Sequence, residues 1–329
     1  MSTAKSLSII CAGECMVELS PTPTIEINKP EQTGRSYITS FAGDVTNFAV
    51  YLKRVQPFSS VQFLSATGDD ALSDQMRIFF ADEGIDQTLV ASSQSKTVGL
   101  YMINTDQMGE RTFSYWRTDS AAKQMFNLID TTRLVNAVDK AGYFYFSGIT
   151  LAILDQQSRE MLFDLVEKIR KKGKTIIFDP NYRARLWDSK DNAIIQIERS
   201  YRLSNILLSS AEDEKALWNE LSIEQTLTRL TNYKIDEIVL TNGPDLIYGV
   251  DHGRHFQVQP TKADKVVDTT SAGDAFNASY IAARHANTTM EEAILQASKL
   301  ASLVIGHSGA IIPMLNMPVM VAAQRSDTP

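Results

Sequence analysis

The chain has 329 residues, and its 32 lysines and arginines against 39 aspartates and glutamates give a formal net charge of −7 at pH 7. With 43% hydrophobic residues it has the composition of a folded globular protein, which excludes collagen-like, disulfide-rich and low-hydrophobicity chains. No apolar run approaches the roughly 18 residues that span a bilayer, and no cationic stretch precedes an apolar one near residue 1. We therefore expect a cytoplasmic protein without membrane partners, and the acidic balance argues against nucleic acid.

Hydrophobic periodicity predicts mixed elements in the N-terminal part of the chain. The helix ending at 83 is followed by Gly84, a residue suited to a left-handed helix end. Two β-rich segments flank a turn at 105–110 and predict a hairpin. In chain order, the predicted strands are 7–13, 24–28, 37–41, 61–66, 87–91, 98–104 and 111–117, and the predicted helices are 44–55 and 71–83.

After residue 130 the predicted strands and helices alternate. Such alternation is typical of βαβ units, and it predicts a mainly parallel central sheet covered by helices on both faces. Two further helices precede the last strand. The predicted strands are 143–147, 175–179, 206–209 and 237–241, and the other predicted helices include 156–172, 192–202, 273–285 and 290–305.

The hairpin and the extended segments before residue 42 do not fit this alternation. We interpret them as one small β lid, formed by about 15–41 and 97–118, over the carboxyl end of the main sheet. An edge extension of the main sheet is the alternative. The aromatic and cationic residues of the hairpin favour the lid, because they would be unfavourable in solvent unless a ligand docks there.

The two cysteines, Cys11 and Cys15, are four positions apart in a segment predicted to be extended. At about 3.3 Å per residue their Cα atoms would be too far apart for a disulfide. Both are therefore predicted to be buried free thiols.

The run VDTTSAGDAF at 267–276 carries the most chemical information. Its small residues lead directly into an amphipathic helix. The backbone N–H groups at the start of this helix would face a bound anion, and they belong to Ser271, Ala272, Gly273 and Asp274. An aspartate in this first turn could serve as the base that a phosphoryl transfer to an alcohol requires. We expect the helix terminus to keep Asp274 ionised at neutral pH. Helix capping is the alternative role for this residue.

This run resembles the second signature of the PfkB family of carbohydrate kinases, with serine at position 271 where the family usually has glycine. The run FAGDVTNFA at 41–49 resembles the first signature, with Ala42 replacing a glycine. Two ordered signatures about 230 residues apart are more specific than either alone. The resemblance implies a ribokinase-like three-layer α/β/α body with a small β-sheet lid, spanning 1–329 as a single kinase domain. It also implies that Asp274 is the catalytic base.

Several other segments resemble the branch of this family that phosphorylates the sugar acid 2-keto-3-deoxygluconate, among them 14–19, 110–117, 147–154, 178–187 and 309–313. A carboxylate-bearing acceptor needs guanidinium groups, which Arg117 and Arg183 could supply. Surface salt bridges are the alternative for these arginines, and packing is the alternative for the tyrosines. The resemblance implies that the acceptor contacts Gly43, Asp44, Asn47, Tyr101, Tyr115, Arg117, Arg183 and Asp274.

The resemblance also implies ATP and Mg²⁺ as cofactors and leaves a monovalent cation open. In the segment 210–213, the polar residues that the family usually has for Mg²⁺ and phosphate are of a different type. Asp213 is expected to orient Mg²⁺ through water, with Glu212 or Glu214 as substitutes. The implied nucleotide-binding residues are Ser210, Thr241, Gly243, Ser271, Gly273 and Ser298. The alternative for Ser298 is an ordinary polar residue on a helix surface.

Two other functions stay open at this point. A kinase for fructose or another neutral sugar would not need Arg117 and Arg183, and a non-catalytic sugar sensor would not need Asp274. An exposed edge of the lid sheet would favour pairing with a second chain, so a homo-oligomer is expected.

Overall fold

A computed structural model describes residues 6–22, 36–105 and 111–318. The strands in these ranges are β1 Ser8–Ala12, β2 Met16–Pro21, β3 Tyr37–Ala42, β4 Ser60–Thr67, β5 Val90–Ser92, β6 Gly99–Thr105, β7 Arg111–Trp116, β8 Tyr143–Ser147, β9 Thr175–Asp179, β10 Ile206–Ser210, β11 Glu237–Thr241, β12 Ile247–Asp251 and β13 Arg254–Val258. The helices are α1 Asp44–Val55, α2 Ala71–Asp82, α3 Met125–Leu128, α4 Thr131–Lys140, α5 Gly148–Ile153, α6 Gln156–Lys171, α7 Lys190–Leu203, α8 Ala211–Trp218, α9 Ile223–Thr231, α10 Ala272–His285 and α11 Met290–Ile305.

The main sheet has the strand order β13-β12-β11-β10-β9-β8-β1-β4-β5. From β11 to β5 every neighbouring pair is parallel, so the carboxyl ends of these strands share one edge. The hairpin β12–β13 adds two antiparallel strands that periodicity did not predict. Parallel strands buried on both faces explain the nearly continuous apolar runs of the sequence.

Helices cover both faces of this sheet. Phe48 of α1 stacks on Tyr145 of β8 in the core on one face, which also contains the buried Tyr280 of α10. Phe163 of α6 and Tyr201 of α7 are buried on the other face. The predicted three-layer α/β/α architecture is therefore confirmed.

The second sheet has the order β3-β2-β6-β7, in which β2 pairs parallel with β6 and the outer pairs are antiparallel. It is built from the segments predicted to form the lid. The predicted strand at 24–28 and turn residues 106–110 lie outside the described residues. That this sheet moves as a lid, and that 1–329 forms a single domain, remain predictions.

Several local predictions are confirmed. Helix α1 has the predicted bounds, Gly84 adopts a left-handed φ of 68° after α2, and Cys11 and Cys15 are buried free thiols. Helix α4 was missed, although Asp130 caps it by accepting hydrogen bonds from the Thr132 and Arg133 amides. Across the described ranges, no helix combines the length and apolar character needed to cross a membrane.

Candidate active site

A cavity of about 540 Å³ lies where the carboxyl ends of β9, β10 and β11 meet the amino ends of α1 and α10. The small sheet forms the opposite wall. Residues predicted from distant parts of the sequence meet there because parallel strands end at one edge of their sheet. The predicted site residues that line it are Gly43, Asp44, Asn47, Tyr101, Tyr115, Arg117, Arg183, Ser210, Asp213, Thr241, Ser271, Gly273 and Asp274.

The amino end of α1 is held close to the chain entering the small sheet. A Cβ atom on Gly43 would lie 2.4 Å from the Glu14 carbonyl oxygen, so only glycine fits there. Asn47 accepts a hydrogen bond from the Gly43 amide at 3.3 Å through Oδ1 and donates one to Asp274 at 2.8 Å through Nδ2. Asn47 thereby joins the amino ends of α1 and α10.

The amino end of α10 faces the cavity. Ser271 has a left-handed φ of 65°, and a Cβ atom on Gly273 would meet nothing within 4 Å. The amide N–H groups of Gly273 and Asp274 have no acceptor among the described residues. These amides are therefore open to an anion, and the anion hole remains a prediction.

Asp274 is buried, and its ionisation differs from the prediction. Burial, reinforced by the charge of neighbouring Asp44, raises the pKa of Asp274 to about 7, although the hydrogen bond from Asn47 favours the ionised form. The expectation that the helix terminus keeps this carboxylate ionised at neutral pH is met only in part, because burial leaves both the protonated and the ionised form populated near pH 7. A carboxyl group with a pKa near 7 is well matched to act as a general base.

Asp179, at the end of β9, is a pocket residue that sequence analysis did not select. Its carboxylate accepts hydrogen bonds from Asn277 Nδ2 at 2.9 Å and the Asn181 amide at 3.0 Å. Burial, together with the charges of Asp274 and other nearby carboxylates, raises the pKa of Asp179 well above its usual value. Asn277 lies about one helical turn after Asp274. This spacing could have identified Asn277 as a residue of the site.

The small sheet presents aromatic and cationic groups to the cavity. The rings of Tyr101 and Tyr115 stack with centroids 5.7 Å apart, and the Tyr101 hydroxyl donates to Glu18. Arg117 is 9% exposed and forms a buried ion pair with Glu14. The charge of Arg117 is therefore already balanced within the protein.

Arg183 lines the cavity, and its guanidinium group forms an ion pair with Asp213, the residue predicted to orient Mg²⁺. Its Nη1 donates to Asp213 Oδ1 at 2.8 Å. Burial raises the pKa of Asp213, and the charge of Arg183 opposes that rise. Glu214 is not available as a substitute for Asp213, because it is buried and bonded to Tyr201, Ser209 and Arg229.

Three predicted residues are not on the cavity wall. The Ala272 amide, predicted to belong to the anion hole, donates instead to the Thr269 carbonyl at 3.3 Å. Ser298 is buried in α11, where its hydroxyl accepts a hydrogen bond from the Thr261 amide at 3.1 Å. Gly243 follows β11 with a left-handed φ of 57°. Sequence position placed these residues near the site, but side-chain direction and backbone bonding decide whether they line it.

The described residues contain no group of three or more His, Cys, Asp or Glu side chains placed to hold a metal ion. Magnesium is usually bound by one or two carboxylates, with water and substrate phosphates completing its coordination. The Asp213 carboxylate on the cavity wall fits that limited role. The amide groups at the start of α10 fit a phosphate group.

This chain belongs to the pfkB family of carbohydrate kinases, whose model matches residues 6–317. The ribokinase-like fold predicted from the two signatures is thereby confirmed.

Individual relatives agree with this assignment. The chain is 36% identical over 321 residues to 2-dehydro-3-deoxygluconokinase from Dickeya dadantii, covering 96% of this chain and 99% of the relative. It is 37% identical over 304 residues to the Haemophilus influenzae protein of that name, covering 91% and 94%. Among solved structures, fructokinase with bound ATP from Xylella fastidiosa matches with a TM-score of 0.78 at 20% identity, covering 95% of each chain. At that identity the structural match shows the fold.

Proposed function

We propose that this protein transfers the γ-phosphoryl group of ATP to the terminal hydroxyl of 2-keto-3-deoxygluconate (2-dehydro-3-deoxygluconate), giving the 6-phosphate. The observation that carries the proposal is one cavity that contains a buried carboxyl group, a turn open to an anion, and three arginines: Arg117, Arg183 and Arg185. The two relatives described above bear the name of this activity.

In the proposed reaction, Asp274 accepts the proton of the attacking hydroxyl. Asn47 holds the carboxyl group of Asp274 in place through a hydrogen bond of 2.8 Å. The free amides at the start of α10 donate hydrogen bonds to the phosphoryl group in transfer and offset its growing negative charge. Tyr101, Tyr115, Arg117 and Arg183 surround the acceptor from both walls of the cavity.

We propose that Ser210, Thr241, Ser271 and Gly273 contact the nucleotide, because all four line the cavity beside Asp274. Asp213 is the residue that would hold Mg²⁺ through water, and the ion would neutralise phosphate charge. Because ATP is the phosphoryl donor, we assign the reaction to the cytoplasm.

A coupled assay of ADP release tests the activity. Purified protein would be offered 2-keto-3-deoxygluconate, fructose, ribose and gluconate with Mg·ATP, and the position of the phosphate would be determined by NMR. We expect the highest kcat/KM with the keto acid and phosphate on its terminal oxygen. A higher kcat/KM with fructose would make the protein a neutral-sugar kinase, and no ADP release with any substrate would favour a non-catalytic sensor.

We also propose that two copies associate through the small sheet. Ile38 on β3 is 53% exposed and Phe113 on β7 is 37% exposed. The strand register places both on the face that carries Tyr101. Sedimentation of Ile38→Asp should show loss of the oligomer, whereas Thr39→Asp, on the opposite face of the same strand, should retain it. A monomeric wild-type protein would contradict this assembly.

A further inference from the structure

We infer that Arg185 is a specificity-determining residue that binds the carboxylate of the acceptor. The inference rests on the proposed function and extends it. Arg185 lies in the short helical turn at 184–186 that follows β9 and lines the cavity.

The other two cavity arginines already form ion pairs within the protein, unlike Arg185. Arg117 is paired with Glu14, and Arg183 is paired with Asp213. An arginine that already neutralises a carboxylate of the protein attracts a second carboxylate less strongly. Neither residue therefore adds a full positive charge for the substrate.

Arg185 differs from both because no carboxylate among the described residues lies within ion-pair distance of it. Its guanidinium carbon lies 3.8 Å from the centroid of the Tyr115 ring. This cation–π contact restricts the movement of the guanidinium group. The N–H groups project from the edge of the guanidinium plane and can bind a planar carboxylate through two hydrogen bonds.

The charges of the cavity make such a residue necessary. Five carboxyl groups line it, those of Glu14, Asp44, Asp179, Asp213 and Asp274, against the three arginines. No lysine or histidine is among the described residues of the wall. Ion pairs with Glu14 and Asp213 use two of the three positive charges, and Asp44, Asp179 and Asp274 add no positive charge. An anionic acceptor is then attracted mainly by Arg185.

The position of Arg185 also connects the two walls of the cavity. It belongs to the main body, while its aromatic partner Tyr115 belongs to β7 of the small sheet. A carboxylate bound by Arg185 would therefore lie beside the contact between the body and the small sheet. A neutral sugar lacks the charge that this position attracts.

The test compares two substrates that differ only at the first carbon. One is 2-keto-3-deoxygluconate, and the other is 3-deoxyfructose, which has a hydroxymethyl group in place of the carboxylate. For Arg185→Gln we expect kcat/KM for the keto acid to fall on the order of 10-fold or more, with most of the change in KM. The value for 3-deoxyfructose should stay nearly constant. Arg185→Lys should recover only part of the loss, because an ammonium group cannot form the paired hydrogen bonds.

Arg254→Gln is the matched control. Arg254 also lies over an aromatic ring, with its guanidinium carbon 5.8 Å from the Phe256 centroid, but it is on β13, an edge strand of the main sheet, and does not line the cavity. This variant removes the same charge and should leave kcat/KM for both substrates unchanged. Calorimetric titration of the keto acid without ATP gives a second readout, in which Arg185→Gln should weaken binding and Arg254→Gln should not.

The outcomes separate the inference from the proposed function. If the wild-type protein phosphorylates the keto acid but Arg185→Gln lowers kcat/KM equally for both substrates, or for neither, the inference is overturned and the proposed function stands. If the wild-type protein neither phosphorylates nor binds the keto acid, both are overturned. A selective loss with the acid, absent in Arg254→Gln, supports the inference.

Discussion

The two walls of the active-site cavity differ in chemistry. The body wall is dominated by carboxyl groups and amides in a hydrogen-bonded cluster, where Asn47 holds Asp274 and Asn277 holds Asp179. The small-sheet wall carries stacked tyrosine rings, one of them Tyr101. It also carries Arg117, which forms a buried ion pair. In the proposed reaction the body wall moves the proton and receives phosphate, whereas the small-sheet wall contacts the acceptor.

This difference implies that reaction and selection can be separated by mutation. Substitution of Asp274 or of a residue that holds it should lower kcat for every acceptor, because all acceptors share the same proton transfer. Substitutions that alter the contact between the walls should change preference among acceptors instead.

Asp274→Asn should show the largest effect, since it removes the base while keeping the size of the side chain. We expect kcat to fall by about 10²- to 10⁴-fold for every acceptor, with little change in ATP affinity. Steady-state kinetics and nucleotide titration measure the two quantities. A near-native kcat would show that Asp274 serves only as a helix cap.

The same variant should be more stable than the wild type at alkaline pH. Because the folded protein raises the pKa of Asp274 to about 7, the stability linked to its protonation is present below the unfolded value of 3.8 and is lost as pH rises through 7. The asparagine never acquires this buried charge. Thermal unfolding should therefore show a larger Tm advantage for the variant at pH 8 than at pH 5.

The pH profile of the wild type should follow Asp274. Its base form is half populated near pH 7, so kcat/KM should fall about 10-fold for each unit of acidification well below that pH. The fall should be the same for acid and neutral acceptors, because it belongs to the body wall. A profile that is flat from pH 5 to 8 would remove Asp274 from the role of base.

Arg183→Ala should have an intermediate effect. The charge-assisted pair with Asp213 is worth roughly 1.5 to 3 kcal/mol, and its loss leaves a carboxylate that repels the keto acid, so kcat/KM for the keto acid should fall about 10- to 150-fold. The variant also leaves Asp213 without its partner, so 3-deoxyfructose should lose activity too, unlike the result expected for Arg185→Gln. Unchanged kinetics with both substrates would show that the pair with Asp213 is only structural.

The smallest effect concerns motion of the small sheet. If it closes over the acceptor, amide hydrogen exchange in β6 and β7 should slow when the keto acid is added. Strands β8 and β9 in the main sheet serve as internal references and should not change. Equal protection with and without the acid would describe a fixed wall rather than a lid.

Much of the fold could be predicted because its signals are local. Helix α1 matches its predicted bounds, and the strand at 237–241 was predicted as observed. The hairpin β12–β13 was not predicted, since its antiparallel strands do not follow the βαβ alternation. The four-residue α3 was missed too, because it is too short to show a helical period.

The sequence by itself determined the family, the base candidate Asp274 and the two helix amino ends that build the site, because short motifs record local backbone geometry. The tertiary structure decided the pKa of Asp274 and the pairing of Arg117 and Arg183. It also decided that Ser298 lies outside the cavity. These properties depend on burial and on charges brought together from distant parts of the chain, such as Asp44 and Asp274, and no local pattern specifies those distances.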